Sequence, residues 1–441
     1  MPSLKNQPRG KLLFYLTLIL TSLLALIGNC GSDNDTESHK NEDTNQLADA
    51  PAPVATNAKS KSVLTSSLAG RWYDADPKAL QTELDRYYQK AKAEPKENVI
   101  ALILPHAGYQ FSGPTAMEGL KSLGKKKYQR VIVMGPTHTL PMQDILSVPD
   151  VTHYKTPLGE TPLDVAFIEQ LKKYRLFQSI PLAHQYEHSV QIELPLLQYR
   201  QKDFRLVPIV VGSLSQETVL RAGAILRSLM DENTLVVASS DFTHYGPRFD
   251  YEPFQGQQDT PGKIKQLDMG AYALIEKRNA SGFLQYRRDT GCTICGFMPI
   301  SILLSLLPED SQAHLLKYDT SGNITGDWQN SVSYCSIAFT GRWSKGPQVT
   351  PKKVSTAITQ DDKKALLQLA RRSMEYYLKN KKVGTPEQLG ITITEPMRQV
   401  RGTFVTLKCT VENLEKVFQR EIKPKSDDPN NAREELVLRG C

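Results

Sequence analysis

Hydrophobic residues fall along this chain in two alternating rhythms. VIALIL (99–104), RVIVM (130–134), FRLVPIVVG (204–212), TLVVASS (234–240) and SVSYCSIAFTGR (331–342) are short apolar runs of the kind that form buried strands. Between them, apolar residues recur at helical spacing over 79–93, 164–173, 187–200, 217–230, 263–277 and 298–307. Pro195 predicts a break in the third of these, and 120–127 reads as a helix end closed near Gly124. Strand and helix alternate, which predicts an α/β fold with a mostly parallel sheet flanked by helices.

Both ends of the chain depart from this rhythm. Residues 12–27 are an apolar run preceded by Lys5, Arg9 and Lys11, short for a spanning helix and suited to a signal peptide. LIGNC (26–30) resembles a bacterial lipobox with Cys30 as the lipidated residue, although Asn29 stands where Gly or Ala is commoner. Residues 31–66 are polar and poor in large apolar side chains, as in a disordered tether. The expectation is an exported bacterial lipoprotein, anchored at a membrane in the periplasm or at the cell surface. After the last run, 344–359 carries Pro347 and Pro351 and reads as a linker. An incomplete α+β segment over 360–441 follows, with an amphipathic helix at 361–379, one strand at 402–407 and a charged stretch at 420–433. Nothing after Lys408 is expected to complete a sheet. The plan is a signal peptide (1–30), a tether (31–66), a main domain (67–343), a linker (344–359) and a partial domain (360–441).

Composition adds exclusions. With 40% hydrophobic and 23% charged residues the chain is ordinary for a globular protein. Its net charge of +7 is thinly spread, three of the positives lying in the acid-free leader, which argues against nucleic acid as a partner. Of six cysteines, Cys30 is assigned to lipid, and the odd remainder gives no disulfide framework. No HExxH, Walker loop, GxSxG or suitably placed GxGxxG is present.

The chemistry gathers where apolar runs stop. His106 follows the first run, His138 the second, and Asp241 with His244 the fourth. In a parallel sheet these ends share one edge, where open α/β folds place their ligands. Two imidazoles at one rim suit iron, copper or zinc. Asp241, His188 and the cysteines of GCTICG (291–296) are open as the third ligand, and a thiolate favours copper, iron or zinc over magnesium. His184 and His188 stand at i, i+4, but a helix boundary is expected between them, which leaves His188 in the site and His184 on the surface. Cys292 and Cys295 read as half of a zinc ribbon or as a redox pair, and Cys335 as a core residue.

Several motifs in one order resemble the Memo family, related to the LigB-type class III extradiol dioxygenases. They are AGRWY (69–73), PHAGYQFSG (105–113), GPTH (135–138), EHSVQIELP (187–195), SSDFTHYG (239–246), TICG (293–296) with Pro299, and DWQNSVSY (327–334). The resemblance implies a class III extradiol dioxygenase-like fold and a metal held by His106, His138 and Cys295. It further implies that Asp241, His188 and an acid/base His244 line the same pocket. Iron or copper is expected ahead of zinc. Thr139 stands where the family usually has a second histidine, and Cys292 lies outside the motif, so its oxidation with Cys295 would switch the site off. LLQLAR (366–371), GTFVTLK (402–408) and LRGC (438–441) resemble parts of a truncated AMMECR-type domain. Together these imply an AmmeMemoRadiSam system protein of the B type, with AMMECR-like and radical-SAM proteins as partners. The function implied is metal binding with redox or oxygen chemistry. The alternatives are a non-catalytic iron-, copper- or peptide-binding lipoprotein and a metal-dependent hydrolase.

Overall fold

The computed structural model describes residues 60–344, 346–351, 359–380 and 384–394, and two strands at 404–408 and 435–439. Cys30, the apolar run at 12–27 and the charged stretch at 420–433 lie outside the described residues.

The chain opens with β1 (Val63–Thr65), α1 (Pro77–Lys90), β2 (Val99–Leu104), α2 (Tyr109–Ser122) and β3 (Arg130–Pro136). Short elements follow: β4 (Leu146–Ser147), β5 (His153–Thr156), β6 (Gly159–Pro162), α3 (Val165–Lys172), β7 (Phe177–Gln178), α4 (Pro181–Gln185), α5 (His188–Gln191) and α6 (Glu193–Arg200). Then come β8 (Arg205–Val211), α7 (Gln216–Ser228), β9 (Thr234–Ser239), β10 (His244–Tyr245), α8 (Thr260–Glu276), α9 (Ala280–Thr290) and α10 (Phe297–Leu306). A hairpin-like pair, β11 (Gln312–Thr320) and β12 (Ser331–Thr340), bracketing α11 (Ser321–Thr325), closes the main sheet.

At the centre of that sheet β2, β9, β3 and β8 lie side by side, all parallel. Their side chains are buried on both faces because helices cover both, α7 and α10 forming one layer and α1, α2 and α6 the other. The parallel expectation holds for these four strands. On the flanks β12 runs antiparallel to β2 and β4 antiparallel to β8, since the apolarity of a run reports its burial and not its direction.

Several boundaries move. β1 falls inside the stretch read as tether, yet it pairs in parallel with β5, so ordered structure starts earlier than residue 67. The helix expected over 187–200 divides at Ile192 rather than at Pro195. Pro195 is the cause: it has no N–H to give the Gln191 carbonyl one turn back. The first part of the linker is packed down, with the Tyr174 hydroxyl donating to the Val349 carbonyl (2.7 Å), and just before it the Trp343 indole donates to the Thr234 carbonyl (2.9 Å). Beyond it, α12 (Gln360–Asn380) packs Leu366, Leu369 and Tyr376 against Leu389 and Ile391. β13 (Phe404–Lys408) pairs antiparallel with β14 (Glu435–Arg439), which corrects the expectation that nothing after Lys408 would complete a sheet.

Candidate metal centre

β2, β3 and β9 end at one rim, and each runs on into a polar turn. Leu104 pairs with Ser239, and Met134 with Ala238, so the turns that follow are neighbours. Asp241 ties two of them together: its Oδ1 accepts the His106 backbone N–H at 2.8 Å. The second turn is held by Ser189, whose hydroxyl donates to the Pro136 carbonyl (2.8 Å). Gly135 permits that approach, because a Cβ there would collide with Ser189. Gly296 does the same for the cysteine loop, where a Cβ would meet Ser240 and the Ser239 carbonyl.

Three imidazoles converge. One donor nitrogen from each of His106, His138 and His188 lies within 4.8 Å of the others. The His138 and His188 rings stack with centroids 4.3 Å apart, and His106 stands edge-on to both at 5.3 Å. Trp72 covers the outer face of His188 at 4.5 Å. Glu187 serves two of the rings. Its Oε1 accepts from His138 Nδ1 at 2.8 Å and lies 3.4 Å from His188 Nδ1, while Oε2 accepts the His138 backbone N–H at 2.6 Å. His106 Nδ1 meets the Ser239 hydroxyl at 2.9 Å, and that hydroxyl donates to Glu193 Oε1 at 2.8 Å. Occupying Nδ1 in this way points Nε2 into the site, the usual arrangement of metal-ligating histidines.

Cys295 meets this group at His106, with Sγ 3.0 Å from Nε2, and accepts the Asp241 backbone N–H at 3.2 Å. His244 stands beside it. Its Nδ1 lies 3.0 Å from the Thr293 carbonyl, which can only accept, so Nδ1 carries the proton and Nε2 is a free base.

Burial dominates the electrostatics. It holds His106 well below the usual imidazole range, aided by the neighbouring histidines, lowers His244, and brings His188 down to about 4. Burial raises Asp241 to about 7 and Glu193 to about 8, and with the Asp241 charge it pushes the Cys295 thiol well up. For Glu187 burial acts upward too, but the bonds and charge of His138 outweigh it and keep the carboxyl below its usual value. Among the described residues none of these three acids is paired with a lysine or arginine. Clustered imidazole nitrogens, a thiol and three acids without a lysine or arginine partner are a donor set that fits a divalent transition metal.

The structure therefore brings together His106, His138, His188, Cys295, Asp241 and His244. It changes some assignments. His188, read as a pocket residue, offers a ligand nitrogen equivalent to the other two. Asp241, read as a possible ligand lining the pocket, bonds the backbone N–H of His106 through Oδ1, its loop lying beside the β2 end. Cys292 is buried and, like Cys295, a free thiol; no disulfide joins them. Cys335 is buried in β12, as expected. His184 is not on the surface. It is 1% exposed, with Nδ1 at 2.9 Å from the Tyr154 hydroxyl and Nε2 at 3.1 Å from Ser147 Oγ, so both nitrogens are used in fixing α4. Glu187, Glu193, Ser239, Thr293 and Trp72 received no role from the sequence. The one available signal was a pair of acids six residues apart, flanking His188 in an otherwise apolar helix pattern.

A family model described as Memo-like protein matches residues 65–338. A MEMO1 family protein of Methanosarcina mazei is 32% identical over 279 residues, which cover 62% of this chain and 97% of the archaeal one. The memo-1 homolog of Caenorhabditis elegans is 31% identical across 64% of this chain and 84% of its own. Human Protein MEMO1 is 30% identical across 62% and 96% respectively.

Proposed function

The chain belongs to the Memo-like protein family, and on that premise we propose that it holds a transition metal, iron or copper, at the rim of its central sheet. The observation that carries this reading is the convergence of three imidazole nitrogens within 4.8 Å, with Nδ1 of His106 and of His138 engaged from behind. His106 and His138 are two ligands. Cys295 and His188 flank them as further donors, Cys295 after loss of its thiol proton. Bound there, such a metal supplies redox and Lewis-acid chemistry. His244 is then the general base, since its Nδ1 holds the ring proton against the Thr293 carbonyl and leaves Nε2 to accept one. Asp241 fixes the His106 turn against the Cys295 loop. We assign oxygen or redox chemistry, as in the related dioxygenases, to this pocket.

Metal analysis of the full chain tests the reading. Wild type is expected to retain iron or copper, and the His106→Ala, Cys295→Ser double variant to lose it. Equal content in both overturns the ligand assignment. Oxygen uptake by the iron-loaded protein with a series of catechols tests turnover; no uptake removes the dioxygenase part and favours a metal-binding role alone. Export as a lipid-anchored protein belongs to the same proposal, supported by the basic, apolar and LIGNC segments at residues 5–30, and labelling of Cys30 with palmitate tests it. An AMMECR-like or radical-SAM partner is proposed from the motifs at 366–371, 402–408 and 438–441, and co-purification tests it.

A further inference from the structure

We propose that Glu193 is a positioning residue for this centre, acting on His106 through the hydroxyl of Ser239. The inference rests on the metal-binding reading above and deepens it.

Ser239 Oγ has one proton and two neighbours that compete for it: Glu193 Oε1 at 2.8 Å and His106 Nδ1 at 2.9 Å. Glu193 is fully buried, and its second oxygen has no partner among the described residues. Whether the acid is ionised or carries a proton on that unpaired oxygen, Oε1 remains an acceptor and takes the serine proton. Ser239 can then only accept from the imidazole, so Nδ1 bears the hydrogen and the lone pair of His106 lies on Nε2. Nε2 is the nitrogen that faces Cys295.

Remove the acid and the hydroxyl is free to donate to Nδ1, in competition with the Ser239 backbone carbonyl, which favours a proton on the ring. The ring proton moves to Nε2 and blocks the nitrogen that a metal needs. His138 is oriented by a carboxylate directly, His106 by a carboxylate one hydroxyl away. An acid between Ile192 and Leu194, with an orphan oxygen, is costly to bury, and a leucine there would cost less. Setting the proton on His106 is the return for that cost.

The test uses the full chain with ¹⁵N-labelled histidine, stripped of metal, with His106→Gln identifying the His106 signals. Long-range ¹H–¹⁵N spectra report which ring nitrogen carries the proton. Wild type and Glu193→Gln, which keeps an acceptor, are expected to show the proton on Nδ1. Glu193→Leu and Ser239→Ala are expected to move it to Nε2, and Ser239→Ala stands alone if the leucine variant does not fold. Affinity for Co(II) should fall about 10–100-fold in either variant and no further in the double. A proton on Nε2 in wild type overturns the proposal, as does one that stays on Nδ1 in Ser239→Ala. Loss of cobalt affinity in Glu193→Leu without a change of tautomer also overturns it, making the acid a charge or packing element. Should wild type bind no cobalt, the metal-binding reading fails, while the tautomer measurement still decides the role of Glu193.

Discussion

The same parallel strands have two ends, and the two ends treat charge in opposite ways. Where β3 begins, Arg130 sits between acids, its Nε 2.7 Å from Asp164 and its Nη1 2.6 Å from Asp231, beside a cavity of roughly 330 Å³. Where β3 stops, Glu187, Glu193 and Asp241 are gathered round histidines with no arginine or lysine among them. At the first end the protein satisfies its own charges. At the second, positive charge and empty orbitals are left to be supplied from outside. Charge that closes on itself contributes to stability, and charge left open is a binding site, in keeping with the placement of ligands at the carboxyl ends of such strands.

The largest effect expected from this contrast lies at the closed end. Arg130→Ala leaves Asp164, which is buried, without its partner and should cost about 3 kcal/mol of stability. Urea titration measures it, and Co(II) affinity should not change. A loss of metal binding in that folded variant would show that the two ends are not separable. Next comes Glu187→Ala at the open end, which releases His138 and weakens the hold on His188. Metal affinity should fall about 10–100-fold by titration calorimetry, with a smaller change in urea midpoint than for Arg130→Ala.

Which parts of this contrast could be read from sequence follows from what each signal reports. The central strands were legible because uninterrupted apolar runs mean burial on both faces, and VIALIL at 99–104 coincides with β2. Residues at the ends of such runs must emerge at a rim, so His106, His138, Asp241 and His244 were legible as well. The antiparallel pairing of β12 with β2 and of β4 with β8 was not, because an apolar run reports burial and not direction. β11 escaped because QAHLLKYDT is half-buried and mixes polar with apolar residues. Glu187 and Glu193 lay within a quoted motif, yet a carboxylate's role depends on which ring or hydroxyl it meets across the fold. The i, i+4 spacing of His184 and His188 likewise carries no information on what surrounds either ring.

Those two histidines sharpen the comparison within the rim itself. His184 has both nitrogens satisfied inside the protein, and burial lowers it to about 3 from 6.5. A depressed histidine binds fewer protons folded than unfolded, so its stability contribution is complete above pH 6.5 and is lost as pH falls towards the folded value. Between pH 7 and pH 5 the loss should be about 2 kcal/mol. Urea midpoints at the two pH values measure it, and His184→Gln should flatten the dependence by that amount. Saturating metal should leave this component untouched, because His184 has no free nitrogen to offer. A metal-dependent His184 component would mean that α4 opens to expose the ring.

The smallest effect separates the two partners of Arg130. Asp164 is buried, and besides Arg130 it accepts the Phe167 N–H as the cap of α3. The Asp231 side chain is 43% exposed, so its ion pair works against solvent as well as with the arginine. Asp231→Asn should therefore cost less than about 1 kcal/mol. Asp164→Asn should cost more, since a buried charged partner is lost and the cap is weakened. The Asp231 increment should also shrink in high salt, as exposed pairs do. Equal costs for the two asparagine variants would mean that water reaches both acids alike, and the closed end would then be an open, charged cavity like the rim opposite.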